Sequence, residues 1–212
     1  MIDWLPKVGM NGYYTQFFTP RIFFKRWYKH ACYEFTNPYL APEPLEVEDV
    51  EGFTRMYERE IFKRGLYYIK VGHGWTCDPF GTTSLGWESV PEDSIPKELT
   101  KYFAQVDGKR QIINTPMYHN VPMITQLCYG NPEVRKIIVD AVIDYAKQNP
   151  NVDNIGFAMA DASNKYCECE LCCDLRPADF NVMILNEIDR RMKEEGLPTR
   201  VEFCMYLDNL CL

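Results

Sequence analysis

The sequence predicts an α/β fold of parallel strands joined by crossover helices, and three observations carry that expectation. Short, continuous apolar runs recur at 66–71 (LYYIKV), 154–160 (NIGFAMA) and 201–207 (VEFCMYL). The segments between them repeat their apolar residues at helical spacing. The connections are too long for hairpins, so the strands should be parallel neighbours linked by right-handed crossovers.

Taken in order, residues 1–9 (MIDWLPKVG) read as a short helix and 12–18 (GYYTQFF) as a strand. A helix over 50–64 stops at Gly65, and the strand 66–71 follows. The stretch 72–122 is rich in Gly, Pro and Trp and shows one short helix near 96–103. A loop of that length in a compact domain is usually functional, and it is expected over the C-terminal face of the strands. An extended piece or strand is expected near 123–127.

The clearest element runs over 131–148. Asn131 is its cap, Pro132 its first helical residue, and Val134, Ile137, Ile138, Ala141, Val142 and Tyr145 form its apolar stripe. Asn149, Pro150 and Asn151 break it before the strand at 154–160, whose unbroken apolar run suits burial on both faces. A second helix over 179–195 turns Ile184, Leu185, Ile188 and Met192 inward and stops at Gly196. The last strand, 201–207, closes a strand, helix, strand unit.

Four or five such strands are about half of the eight in a closed barrel, which typically needs ~250 residues. The expectation is therefore one domain over residues 1–212, a partial (β/α) TIM-type barrel belonging to a longer protein. A half-barrel completed by a partner and an open doubly wound sheet are the alternatives.

A net charge of −7 and a pI near 5.1 offer no basic stripe for a phosphate backbone, which argues against nucleic acid as the main partner. No run approaches the ~20 apolar residues that span a bilayer, so no membrane partner is expected. Nine cysteines, odd in number and unevenly spaced, read as free thiols with some metal ligands among them, and point to a reducing cytoplasm. Aromatic content of 14% suits stacking on sugar rings, although packing in the core explains most such rings. An incomplete parallel sheet leaves unpaired edges, through which copies of the chain would associate.

Three apolar strands end on a titratable side chain: LYYIKVGH on His73, NIGFAMAD on Asp161 and VEFCMYLD on Asp208. The carboxyl edge of a parallel sheet is where ligands bind and catalytic groups are mounted. Two carboxylates at matching positions on neighbouring strands meet the requirement for glycosidic bond cleavage, one protonating the leaving oxygen while the other attacks or activates water. The plainer reading makes Asp161 and Asp208 caps of loops or helices. His73 stands in GHGWTCDPFG, where Trp75 offers a stacking face; Trp87 in SLGWESV would form a second wall. Asn164 joins the supporting set, and Tyr129 and Asn131 of LCYGNPEV sit at a helix N-terminus, which suits an oxygen-rich or anionic group. Helix capping is the plainer role for Asn131.

The segment KYCECELCCDLR holds Cys167, Cys169, Cys172 and Cys173 just after the strand that carries Asp161. Its C-x-C-x-x-C spacing can supply Cys167, Cys169 and Cys172 to one tetrahedral zinc, with the fourth position filled by Cys128, Cys77 or His119, Cys128 being the one put forward. A thiolate-rich site of this kind would be structural and would brace the loop beside Asp161. Reduced cysteines without metal are the alternative.

In order along the chain, GHGWTCDPFG, ITQLCYGNPEVR, MADASNKYCECELC and NVMILNEIDRRM resemble the catalytic-barrel portion of a bacterial domain-of-unknown-function family related to α-glucuronidases and other glycoside hydrolases. The resemblance extends over most of residues 1–212, and the cysteine segment is its most specific part. It implies a carbohydrate-active barrel of undefined substrate within a longer protein. Cys173 departs from the pattern by doubling the last cysteine.

The expected function is that of a glycoside hydrolase acting on an oligosaccharide or uronic-acid-containing glycan through Asp161, Asp208 and His73. A carbohydrate-binding barrel without turnover, and an enzyme whose cysteine cluster holds a catalytic metal, are the competing readings.

Overall fold

The computed structural model describes residues 2–16, 31–32, 35–36, 43–82, 89–112, 118–161, 165–204, 206 and 210. Trp87, Asn164 and Asp208 lie outside the described residues, as do residues 17–18 of the strand expected at 12–18 and residues 205 and 207 of the one expected at 201–207; that last strand ends at Phe203, with Cys204 and Tyr206 outside it.

Two 3-10 turns, Ile2–Trp4 and Pro6–Val8, stand where the N-terminal helix is expected, and Arg64 pairs with Asp3 to tie this segment to the first long helix. Strand β1 is Gly12–Gln16. The short antiparallel pair β2 (Ala31–Cys32) and β3 (Phe35–Thr36) follows, then helix α1 (Val47–Lys63), whose start is fixed by the Asp49 carboxylate accepting the Glu46 N–H at 3.0 Å. Strand β4 is Tyr67–Gly72. The long connection that follows carries the two-residue strands β5 (Gln105–Val106) and β6 (Lys109–Arg110), and leads to helix α2 (Pro132–Gln148). Strand β7 (Asn154–Phe157), helix α3 (Pro177–Glu194) and strand β8 (Arg200–Phe203) complete the order.

The main sheet has four strands in the order β1-β4-β7-β8, and every pair in it is parallel. This agrees with the sequence-based expectation of parallel strands and crossover helices. The order is also the chain order, so the sheet grows in one direction without a reversal.

Lys70, Ile155 and Val201 are register partners across β4, β7 and β8 and therefore share a face. Glu58 of α1 approaches Lys70 on that face. The hydrophobic core there joins Tyr68 and Ile155 to Ile61 of α1, to Ile138 and Val142 of α2 and to Ile184 and Ile188 of α3. The opposite face carries exposed Tyr14 and Tyr67 and half-buried Ile69 and Val71.

Two expectations need correction. Residues 123–127 form no strand: Pro122–Ile124 is a buried 3-10 turn, and of the extended alternative only the end is present, with Thr125 in extended backbone and Leu127 in an isolated bridge to Phe103. Strand β7 stops at Phe157 rather than Ala160, because the next carbonyls turn to side chains: Met159 O accepts from the His73 ring and Ala160 O from Gln126 Nε2. The short helix expected near 96–103 is present, as the 3-10 helix Lys97–Tyr102.

Candidate functional site

Two clusters lie next to the carboxyl ends of the strands, and the chain positions each by local rules. The first is the rim itself. His73 follows directly on β4, and Asp161 follows β7 by four residues, on the strand that neighbours β4. The His73 Nδ1 lies 3.1 Å from Met159 O. A carbonyl oxygen can only accept, so Nδ1 carries the proton of that bond. Gln126, fully buried, donates from Nε2 to Ala160 O at 2.7 Å and accepts from the Tyr129 hydroxyl at 2.8 Å. The two carbonyls immediately before Asp161 are thus held by His73 and Gln126, which fixes the backbone that presents the carboxylate.

Burial reassigns several of the residues read from sequence. Trp75 is 4% exposed, so its ring offers no stacking face to a sugar, and Tyr129, read as a partner for an oxygen-rich group, is 1% exposed. Tyr129 supports Gln126, and Trp75 meets Tyr145 of α2 edge-on at 5.8 Å. Burial also pushes the Tyr129 phenol pKa above its ordinary value. Asn131 caps α2, its side-chain oxygen accepting the Glu133 N–H at 2.9 Å. Asp161 is half-buried.

The second cluster is made of cysteines. The Sγ atoms of Cys128, Cys167, Cys169 and Cys172 all lie within 4.8 Å of one another. Cys167 to Cys169 is 3.3 Å, Cys128 to Cys169 3.5 Å and Cys128 to Cys172 3.8 Å. A tetrahedral zinc with Zn–S bonds of ~2.3 Å has sulfur–sulfur edges of ~3.8 Å, so this set could hold a metal ion such as zinc. Cys128 supplies the fourth thiol. Cys77 is buried elsewhere, bonding to Gly74 O, and exposed His119 and Cys173 stand outside the set.

Local chain geometry explains the gathering. Cys169 and Cys172 face each other across a turn closed by Cys172 N–H on Cys169 O at 2.8 Å. Cys128 enters from the segment before α2, which approaches the turn so closely that a Cβ on Gly130 would sit 2.1 Å from Leu171 O. Two backbone amides point at sulfur: Gln105 N–H to Cys167 at 3.2 Å and Gly130 N–H to Cys172 at 3.3 Å.

Arg110 adds a cation. Its Nη1 donates to Phe103 O at 2.6 Å and lies 3.7 Å from Cys167 Sγ. Burial works against its charge, but hydrogen bonding to the thiols of Cys169 and Cys128 outweighs that and holds the guanidinium pKa above its usual value. Cys128 and Cys172 act as hydrogen-bond partners that lower the Cys167 pKa, so Cys167 is the thiol driven toward thiolate, while Cys128 is raised by Cys167 and Cys172 by Cys128 first.

Sequence reasoning missed the hairpin that carries Gln105 and Arg110. Its signal was present: Asp107 and Gly108 between Val106 and Lys109 form a two-residue loop with φ of 51° and 75°, as a type I′ turn requires. Gln126 was missed too, and nothing in its sequence context marks it.

A parallel α/β domain with a four-cysteine cluster beside the carboxyl rim of its sheet is the class that fold and site define. Residues 52–200 match the model of the family described as domain of unknown function DUF4838, and the chain belongs to that family. No curated protein and no solved structure matches it.

Proposed function

We propose that this chain forms part of a (β/α) barrel that acts on an oligosaccharide or a uronic-acid-containing glycan, with Asp161 as one carboxylate of its acid/base pair. The observation that carries the reading is the one-directional strand order, with His73 directly after β4 and Asp161 four residues after its neighbour β7. A doubly wound sheet reverses its order at a switch point and carries helices on both faces. Here the order does not reverse, and crossovers of the usual right hand that always advance the same way would put the helices on one face, as in a barrel. Sugar-cleaving barrels mount their carboxylates where Asp161 stands.

In this reading Asp208, which follows β8, supplies the second carboxylate. One carboxyl protonates the glycosidic oxygen, and the other attacks the anomeric carbon or activates water. His73 and Gln126 are positioning residues for the Asp161 backbone. The relation to α-glucuronidase-like barrels belongs to the same proposal, as does a zinc brace in the cysteine cluster. So does pairing of a second copy along β1 or β8, the outer strands of the sheet. Among the described residues no helix is long and apolar enough to cross a membrane.

Turnover and binding on a panel of neutral and uronic-acid-containing oligosaccharides test the reading. The chain is expected to cleave a member of the panel, and Asp161→Asn to bind that glycan while losing turnover by the 10²–10⁴-fold (order of magnitude) that acid–base catalysis supplies. Undiminished turnover in Asp161→Asn overturns the assignment. Binding without cleavage by the unaltered chain favours the non-catalytic alternative.

A further inference from the structure

We infer that Cys128, Cys167, Cys169 and Cys172 form a closed tetrathiolate site for one zinc ion, whose outer shell of Gln105, Gly130 and Arg110 couples metal loading to folding of the β5–β6 hairpin. The inference rests on the zinc brace proposed above and extends it to a folding linkage.

Four protein sulfurs within 4.8 Å of one another are enough to fill a tetrahedral shell, which is the pattern of structural zinc rather than of a catalytic ion with an open position. Zinc bound by four thiolates leaves a net charge of −2, and such a group needs donors around it when it is withdrawn from water. The structure supplies them before any ion is considered: the amides of Gln105 and Gly130 aim at Cys167 and Cys172, and the Arg110 guanidinium lies over Cys167. Gly130 is the one residue type that lets its amide come this close, since any Cβ there would also sit 2.8 Å from Cys172 Sγ.

The same contacts explain the linkage. Each strand of the β5–β6 hairpin has two residues, and an isolated two-stranded hairpin is marginal in water. What holds this one lies on the cysteine-bearing segments. Glu168 N–H donates to Gln105 O at 2.8 Å, Asp107 N–H to the Glu168 carboxylate at 2.9 Å, and Cys128 N–H to Tyr102 O at 2.8 Å. The metal therefore closes a loop of three segments: the one before α2, the one after β7 and the hairpin between β4 and α2. Without it, the Gln105 and Gly130 amides and the Arg110 guanidinium face thiols rather than a group of charge −2, and the hairpin is held less firmly at its Gln105 and Arg110 ends.

The test uses the full chain, purified under reducing conditions. Native mass spectrometry is expected to show one zinc per chain, and Cys128→Ser and Cys172→Ser to lose it. Arg110→Gln is expected to weaken zinc affinity about 10–100-fold in competition with a chromophoric chelator, the usual cost of removing an outer-shell partner. Amide exchange of residues 104–110 is expected to rise on chelation while that of the α2 interior stays slow. No bound metal, a metal that survives both serine substitutions, or a disulfide among the four cysteines overturns the site together with the zinc brace. One zinc bound through the four cysteines, with hairpin exchange unchanged by chelation and affinity unchanged in Arg110→Gln, leaves the brace standing and overturns the linkage.

Discussion

Replacing Gly130 by alanine probes the cysteine cluster without replacing a cysteine. The added Cβ would lie 2.1 Å from Leu171 O, 2.6 Å from its carbon and 2.8 Å from Cys172 Sγ. Two of these are backbone atoms, so no rotamer change relieves the contact. Ordinary van der Waals separation requires the Leu171 carbonyl to retreat by about 1 Å. Cys172 is the next residue and moves with it, away from Cys128, 3.8 Å distant. Overpacking of this kind costs about 1–3 kcal/mol. For a chain of this length that corresponds to a Tm lower by roughly 2–12 °C. The loss should be larger in zinc-loaded than in chelated protein, because the displaced ligand also weakens the metal, and ligand affinity for the folded state is itself stability. Differential scanning calorimetry of both variants, with zinc and with chelator, reads both quantities. A Tm within about 1 °C of the parent in both conditions would refute the steric argument, as this shift is below the smallest expected cost.

Other perturbations address the packing around the sheet. Lys70 is 1% exposed, with Glu58 as its counter-charge at 3.7 Å, so Glu58→Ala should destabilise the fold by about 3 kcal/mol by leaving a buried cation unpaired, measured by urea unfolding. Burial lowers the Lys70 pKa in the folded chain, so the unfolded chain binds its proton more tightly. Stability should therefore rise with pH between that lowered value and the ordinary lysine value, and Lys70→Met should flatten the rise in unfolding midpoints taken from pH 7 toward the lysine range. Asn131→Ala removes the cap of α2 and should cost about 1 kcal/mol, visible as a small drop in Tm. Cys173→Ser, an exposed position outside the cluster, should leave zinc stoichiometry by native mass spectrometry unchanged, whereas loss of the metal there would remove Cys172 as the ligand.

How far the chain could be read from its residues depended on whether signals were local. Helix α2 was legible because Asn131 and Pro132 mark its start and a 3.6-residue stripe marks its buried side. The parallel sheet was legible because its strands are apolar runs separated by helix-length connections. Three of the four clustered cysteines share one short segment and were grouped by spacing alone. The fourth lies 39 residues earlier than Cys167; Cys128 was the one put forward, but spacing gave no ground to set aside Cys77 or His119, and the tertiary structure does.

What failed to show in the sequence was burial within the long connection. Trp75 and Tyr129 have no periodic context, and aromatic rings in loops look alike whether they face a ligand or the core. The end of β7 was overestimated for a related reason: residues 158–160 are as apolar as a strand, but the carbonyls of Met159 and Ala160 are taken by His73 and Gln126, side chains 30 or more residues away in sequence. The Asp107–Gly108 hairpin was missed although its turn residues announce it, because two-residue strands have too little length to display alternation.

Zinc-edge X-ray absorption of the full chain tests the gathered cysteines most directly. The account predicts a first shell of four sulfurs at ~2.3 Å and no lighter ligand. A shell containing nitrogen or oxygen, or protein that binds no zinc when reduced, would contradict it.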